Sequence, residues 1–117
     1  MKVDRPASIV FCGDTHTGSR YGLNPPGIIP EKWSRGPRYL LDVWKWILDR
    51  LPEKIDLLFL TGDLIDGTNR KADGTGELTN DLSEQVEACA EVIAPLAKRA
   101  AAVYRVHGTP YHEAHHA

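Results

Sequence analysis

The sequence predicts an α/β domain, a β-α-β-α-β unit with a parallel sheet. Three observations predict it. Three short apolar runs each end at a glycine beside a polar residue, two segments of helical periodicity separate them, and the two kinds of segment alternate strictly. Alternation of this kind implies right-handed crossovers and strands lying side by side in one direction.

The first run is Ala7 to Cys12, ending on Gly13-Asp14; the second is Asp56 to Thr61, ending on Gly62-Asp63. The third is Ala101 to Val106, ending on His107-Gly108. Continuous apolar runs of this length suit strands buried in a parallel sheet. Between the first two, Arg38 to Leu51 places Leu40, Trp44, Ile47, Leu48 and Leu51 on one face, with Leu41, Val43 and Trp46 widening it. Gly36-Pro37 marks its start, with proline at the first helical position, and Pro52 follows its end. The second helix runs from about Asp81 to Arg99, with Leu82, Val86, Cys89, Ile93, Leu96 and Ala100 in register. Asp81 with Glu84 forms a capping box, and Pro95 bends or ends the helix early.

Composition narrows the class. With 42% hydrophobic and 26% charged residues in 117, the chain is a soluble globular domain with a modest core. A net charge of -2 excludes a basic surface of the kind that binds nucleic acid by itself. No apolar stretch reaches the ~20 residues of a membrane span, and MKVDRPAS lacks the apolar run of a signal peptide. Cytoplasm is the default location. Cys12 and Cys89 sit among apolar residues and read as buried thiols of a reducing compartment.

In parallel α/β sheets, ligands bind beyond the carboxyl ends of the strands. That rule places Asp14, Asp63 and Gly108 on one edge, where two long loops also leave: Thr15 to Gly36, read as a substrate lid or a surface loop, and the polar segment Asp66 to Leu78, read as mobile. Asp14-x-His16 follows the first strand, Asp63-x-x-Asp66 the second, and His112 comes shortly after the third. Carboxylates and imidazole are ligands for zinc, manganese or iron, and an aspartate at a strand end can serve two ions at once.

These motifs resemble those of the calcineurin-like metallophosphoesterases. The opening Asp-x-His followed by glycine matches Gly13-Asp14-Thr15-His16-Thr17-Gly18, and Gly-Asp-x-x-Asp matches Gly62-Asp63-Leu64-Ile65-Asp66. The resemblance implies two divalent metal ions (manganese, zinc or iron), with Asp14 and His16 on the first and Asp63 bridging both, while Asp66 supports the loop. It implies hydrolysis of a phosphomonoester or phosphodiester by a metal-bridging hydroxide, with nucleic acids and nucleotides among the candidate substrates. The family's third motif, Gly-Asn-His and an acid, corresponds to Gly108-Thr109-Pro110-Tyr111-His112-Glu113. Threonine replaces asparagine there and two residues intervene. His112 is then the proton donor, or it competes with Thr109 as the fourth ligand of the second metal. The family completes its site with histidines from a second half, so residues 1–117 read as a single, incomplete domain with a missing C-terminal half, whose uncovered sheet face would favour self-association.

Simpler roles exist for several of these residues. Aspartates often cap turns after strands, which would account for Asp14 or Asp63 taken singly. His107 reads as a strand-end residue, His115 and His116 as an exposed tail, and Arg20, Arg70 and Lys71 as solvated loop cations. Trp33, Trp44 and Trp46 read as packing residues, with Trp33 placed to cover a pocket and Trp46 to serve an interaction surface. The alternative to a hydrolase is an inactive, truncated or interaction module that keeps the fold and a partial metal site.

Overall fold

A computed structural model describes residues 7–32, 34–67 and 76–108 of the protein. Thr109, His112, His115, His116, Trp33, Arg70, Lys71 and most of the loop expected to be mobile lie outside the described residues. The elements are β1 (Ile9–Cys12), α1 (Arg35–Arg50), β2 (Ile55–Leu60), α2 (Leu82–Ala97) and β3 (Ala100–Arg105), with a 3-10 turn at Pro26–Ile28. The sheet is parallel in the order β1-β2-β3, with Val10 beside Leu58 and Leu58 beside Val103.

Successive right-handed crossovers in one direction put both helices on the same face of the sheet. The core follows from that. Leu48 of α1 and Leu96 of α2 close over Ile55 and Leu58, with Val10, Cys12 and Leu60 at its edges. A second cluster, Leu64, Ile65, Cys89 and Ile93, continues the core beneath the carboxyl end of the sheet. Trp44 ties the helices together by donating its indole N–H to the Val92 carbonyl at 3.1 Å. Arg99, in the turn before β3, donates to the carbonyls of Leu48 and Leu51 at the end of α1, satisfying acceptors that the helix itself leaves open.

The helices differ in detail from the sequence expectation. α1 starts at Arg35, so Pro37 occupies its third position instead of its first. Proline is tolerated there because the first four helical N–H groups have no intrahelical acceptor. The buried residues of α1 are Pro37, Leu41 and Leu48, whereas Ile47 and Trp46 are exposed. Trp46 is stacked under the Arg50 guanidinium, 3.6 Å from the ring centroid. α2 begins where its cap predicts: the Asp81 carboxylate accepts from the Glu84 N–H at 3.2 Å. The reciprocal half of the box is relayed, since the Asp81 N–H donates to Thr79 Oγ1 and that hydroxyl donates to Glu84. Pro95 falls in the last turn, and α2 runs two residues past it. Val86, expected inside, is exposed, and its neighbour Gln85 is fully buried in its place. Ala100 belongs to β3.

The opposite face of the sheet carries no helix among the described residues. Phe11, Phe59 and Tyr104 stand in register across it, with ring centroids 5.1 and 5.6 Å apart. Phe11 is 68% exposed and Tyr104 55%. Cys12 and Cys89 are not joined in a disulfide; burial, with Cys89 nearby, raises the Cys12 pKa and keeps it protonated. No described helix is long and apolar enough to cross a membrane.

Candidate metal centre at the strand ends

Beyond the last ladder bonds of β1 and β2, the two motif loops continue to pair. The Asp14 N–H donates to the Gly62 carbonyl, His16 to Asp63, and Thr17 to Leu64, all at 2.9–3.0 Å. Thr15 adds its hydroxyl to the Leu64 carbonyl at 2.8 Å, and the Asp66 N–H returns to the Thr17 carbonyl. Loops that would otherwise be free are thus fixed against each other. Their side chains have little freedom to drift apart.

The pairing imposes an unusual backbone. Asp14, His16 and Asp63 all adopt the left-handed region, with φ of 54°, 45° and 48°. They are the non-glycine residues with positive φ among those described. Such positions cost free energy for side chains other than glycine, and they cluster where function requires a particular geometry. Gly62 is at φ 102°, and a Cβ on it would lie 2.8 Å from Gly108. The end of β3 therefore packs directly against the second motif, which only glycine permits.

The consequence is convergence. Asp14, His16 and Asp63 each offer one ligand atom, and these atoms all lie within 4.8 Å of one another. Asp63 is buried and Asp14 exposed, so the cluster opens outward on one side. His16 Nδ1 lies 3.1 Å from Asp66, and its Nε2 faces Asp14 at 3.6 Å. The bond to the Asp66 carboxylate favours a proton on Nδ1, leaving the Nε2 lone pair toward the cluster. A carboxylate on the far ring nitrogen is what orients metal-binding histidines. The Asp66 hydrogen bond also raises the His16 pKa above its ordinary 6.5; burial opposes the rise, and the charges of Asp66, Asp63 and Asp14 add to it. Three carboxylates around one imidazole make a concentrated negative site. The donor set, its spacing and the freed Nε2 fit a divalent cation.

Several residues that build the site carry no motif. Asn24, fully buried, accepts from the Gly18 N–H and donates to the carbonyls of Ser19 and Gly22. The Thr15 to Gly36 loop is therefore pinned at its start, with Thr17 and Ser19 also buried. Gln85 accepts from the Gly67 N–H and donates to the carbonyls of Gly67 and Thr79, clamping the second motif to the start of α2. The signal for it was faint: a polar residue one place from the expected apolar stripe. His107 is exposed and outside the cluster. Beside Asp14, a groove of about 430 Å³ runs between β1 and α1, lined by Val10, Tyr21, Leu40, Val43, Trp44 and Ile47 among others.

Fold and site together define a class: an α/β protein with a carboxylate–imidazole cluster at adjacent parallel strand ends. The family model of the calcineurin-like phosphoesterases matches residues 7–108, and the chain belongs to that family. Comparison with curated proteins and with solved structures yields no match.

Proposed function

We propose that this protein is a metal-dependent phosphoesterase in which Asp14, His16 and Asp63 hold divalent metal for hydrolysis of a phosphomonoester or phosphodiester. The observation that carries the reading is the convergence of those three ligand atoms within 4.8 Å on strained backbone, in a chain of the phosphoesterase family. When bound, a pair of manganese, zinc or iron ions supplies a nucleophile at neutral pH and neutralises phosphoryl charge. The chain's own residues position and orient. Asp66 holds the His16 ring, and buried Asp63 sits at the junction of the two loops, the place for a ligand shared by both ions. His112 is the proton donor to the leaving group in this reading. The apolar groove beside Asp14 suits a substrate with a planar apolar group next to its phosphate, such as a nucleotide.

The test is to dialyse the purified chain against manganese, measure retained metal, and assay hydrolysis of bis-nitrophenyl phosphate. Asp63→Asn should lose most of the metal and any turnover. His112→Ala should slow substrates with poor leaving groups by ~10²–10⁴-fold and spare nitrophenyl esters, which need no proton. A folded chain that retains no metal would overturn the proposal.

A second reading, association through the open sheet face, is favoured by the exposed aromatic row of Phe11 and Tyr104. It predicts concentration-dependent dimers in sedimentation equilibrium that Phe11→Lys weakens. A monomer at all concentrations would remove it.

A further inference from the structure

The turn that follows the first motif is tied to the candidate metal ligands themselves. Within it the Gly22 N–H donates to the Ser19 carbonyl, and the Leu23 N–H donates to the Thr15 carbonyl at 2.7 Å. A Cβ on Gly22 would collide with the carbonyls of Thr15 and His16, so the turn packs directly on the backbone of the first motif. Tyr21 rides on this turn. Its N–H donates to Ser19 Oγ at 3.1 Å, and its hydroxyl accepts from Arg20 at 2.6 Å. The Arg20 guanidinium lies over one face of the ring, 4.9 Å from its centroid. Tyr21 is nonetheless 72% exposed, and it lines the groove beside Asp14. An aromatic ring is thus held at a fixed offset from the metal cluster without belonging to the core.

The groove has room but little polarity. Its volume of about 430 Å³ falls within the ~300–1,000 Å³ of small-molecule sites. Val10, Leu40, Val43 and Ile47 give it hydrocarbon walls. Two of its side-chain donors are already spent, the Trp44 indole N–H on the Val92 carbonyl and the Thr15 hydroxyl on the Leu64 carbonyl. Asp14 stands at the metal end, and Cys12 offers a thiol, a weak donor. No asparagine, glutamine, arginine or lysine, the side chains that read base edges with paired hydrogen bonds, lines the groove among the described residues. A planar group lying there meets apolar walls and an aromatic face. Stacking on such a face tolerates any base, because every base has a π-face.

We propose that Tyr21 is the specificity-determining residue of this site: the ring face opposite Arg20 stacks on the base of a nucleoside phosphoester, whose flat shape is recognised and whose hydrogen-bonding edge is not. The substrate class is then nucleoside phosphoesters without preference among bases of one size. The inference rests on the phosphoesterase reading for its chemistry. The nucleoside site itself rests on the groove and on the turn that carries Tyr21.

Two measurements separate them. The first is a methyl NMR titration of metal-free protein with adenosine, which should shift the methyl signals of Val10, Leu40, Val43 and Ile47. Inosine exchanges the amine on the base edge for a carbonyl, and its affinity should be of the same order. Tyr21→Ala should weaken both nucleosides by ~5–150-fold, the range for one base stacked on one ring, while Tyr21→Phe stays close to wild type. Four results would overturn the proposal. Orders of magnitude between adenosine and inosine would show that the edge is read. Unchanged affinity in Tyr21→Ala would remove the stacking. Hexanol moving these methyls where adenosine does not would assign the groove to a hydrocarbon chain. Shifts that follow protein concentration instead of ligand would assign it to a second copy of the chain. The second measurement is hydrolysis with manganese. The ratio of kcat/KM for adenosine monophosphate to that for glycerol phosphate should fall by the same factor in Tyr21→Ala and persist in Tyr21→Phe. A ratio that Tyr21→Ala leaves unmoved would overturn the specificity role. If wild type hydrolyses neither ester, the phosphoesterase reading falls, while the titration still upholds or overturns the nucleoside site.

Discussion

The helix-covered side of the sheet and its carboxyl edge are built on opposite rules. Under the helices, Leu48, Ile55, Leu58 and Leu96 meet in a core without polar partners, where each buried methylene contributes about 0.8 kcal/mol. At the edge a few ångströms on, three non-glycine residues sit at positive φ, and the carboxylates of Asp14 and Asp63 converge on one imidazole. Left-handed backbone there costs of order 1–3 kcal/mol per residue. The core overdetermines the strands, and the strands hold loops that would not choose their own geometry. Stability is generated on one side of the molecule and drawn down on the other, a division expected where an edge is shaped by what it must bind.

The largest expected effect lies in the core. Leu58 is fully buried at the centre of the sheet, between Val10 and Val103. Leu58→Ala should destabilise the protein by about 2–5 kcal/mol, the range for a leucine truncated where neighbours cannot collapse into the space. Urea denaturation measures it. Under conditions where the variant is still folded, its manganese affinity should match wild type, because the loops are held by their own hydrogen bonds. A large loss of affinity in folded Leu58→Ala would break the division between the two regions.

The same division governs what the sequence reveals. Strands and helices were legible because burial on a sheet face or a helix stripe leaves a pattern of apolar residues, and their limits moved by only a few positions. The convergence of Asp14, His16 and Asp63 was legible because each follows a strand in a parallel sheet, whose ends necessarily share an edge. The supports of the site were not. Gln85 reaches Gly67 across 18 residues, and Asn24 acts on loop backbone whose path no periodicity encodes. Polar residues that satisfy loop amides look, in a sequence, like any surface residue. Nor does a sequence announce left-handed aspartates, since glycine would be the expected occupant and these positions lack it. Asp66, anticipated as a support of the loop, carries a more specific task as the acceptor facing His16 Nδ1.

The smallest expected change in stability sharpens the comparison most, and it concerns Asp14. Its side chain is 78% exposed, its φ is 54°, and its nearest ionic partner is His16 Nε2 at 3.6 Å, so little packing is lost when it is removed. Glycine accepts that φ without steric cost but releases more backbone entropy on unfolding, and the two effects nearly offset. Removing one of the carboxylates that crowd the cluster adds a further small gain in the metal-free protein. Asp14→Gly should therefore leave metal-free stability unchanged or raise it by up to about 1 kcal/mol, while manganese binding is largely lost. Urea denaturation in chelator, beside metal retention after dialysis, reads both quantities on one preparation. If metal-free Asp14→Gly is instead destabilised by more than about 1 kcal/mol, then Asp14 contributes to the fold as a turn residue, in the manner of many strand-end aspartates. Retained stability with lost metal would mean that the left-handed aspartate is kept for the ligand it presents, at the expense of the fold that holds it.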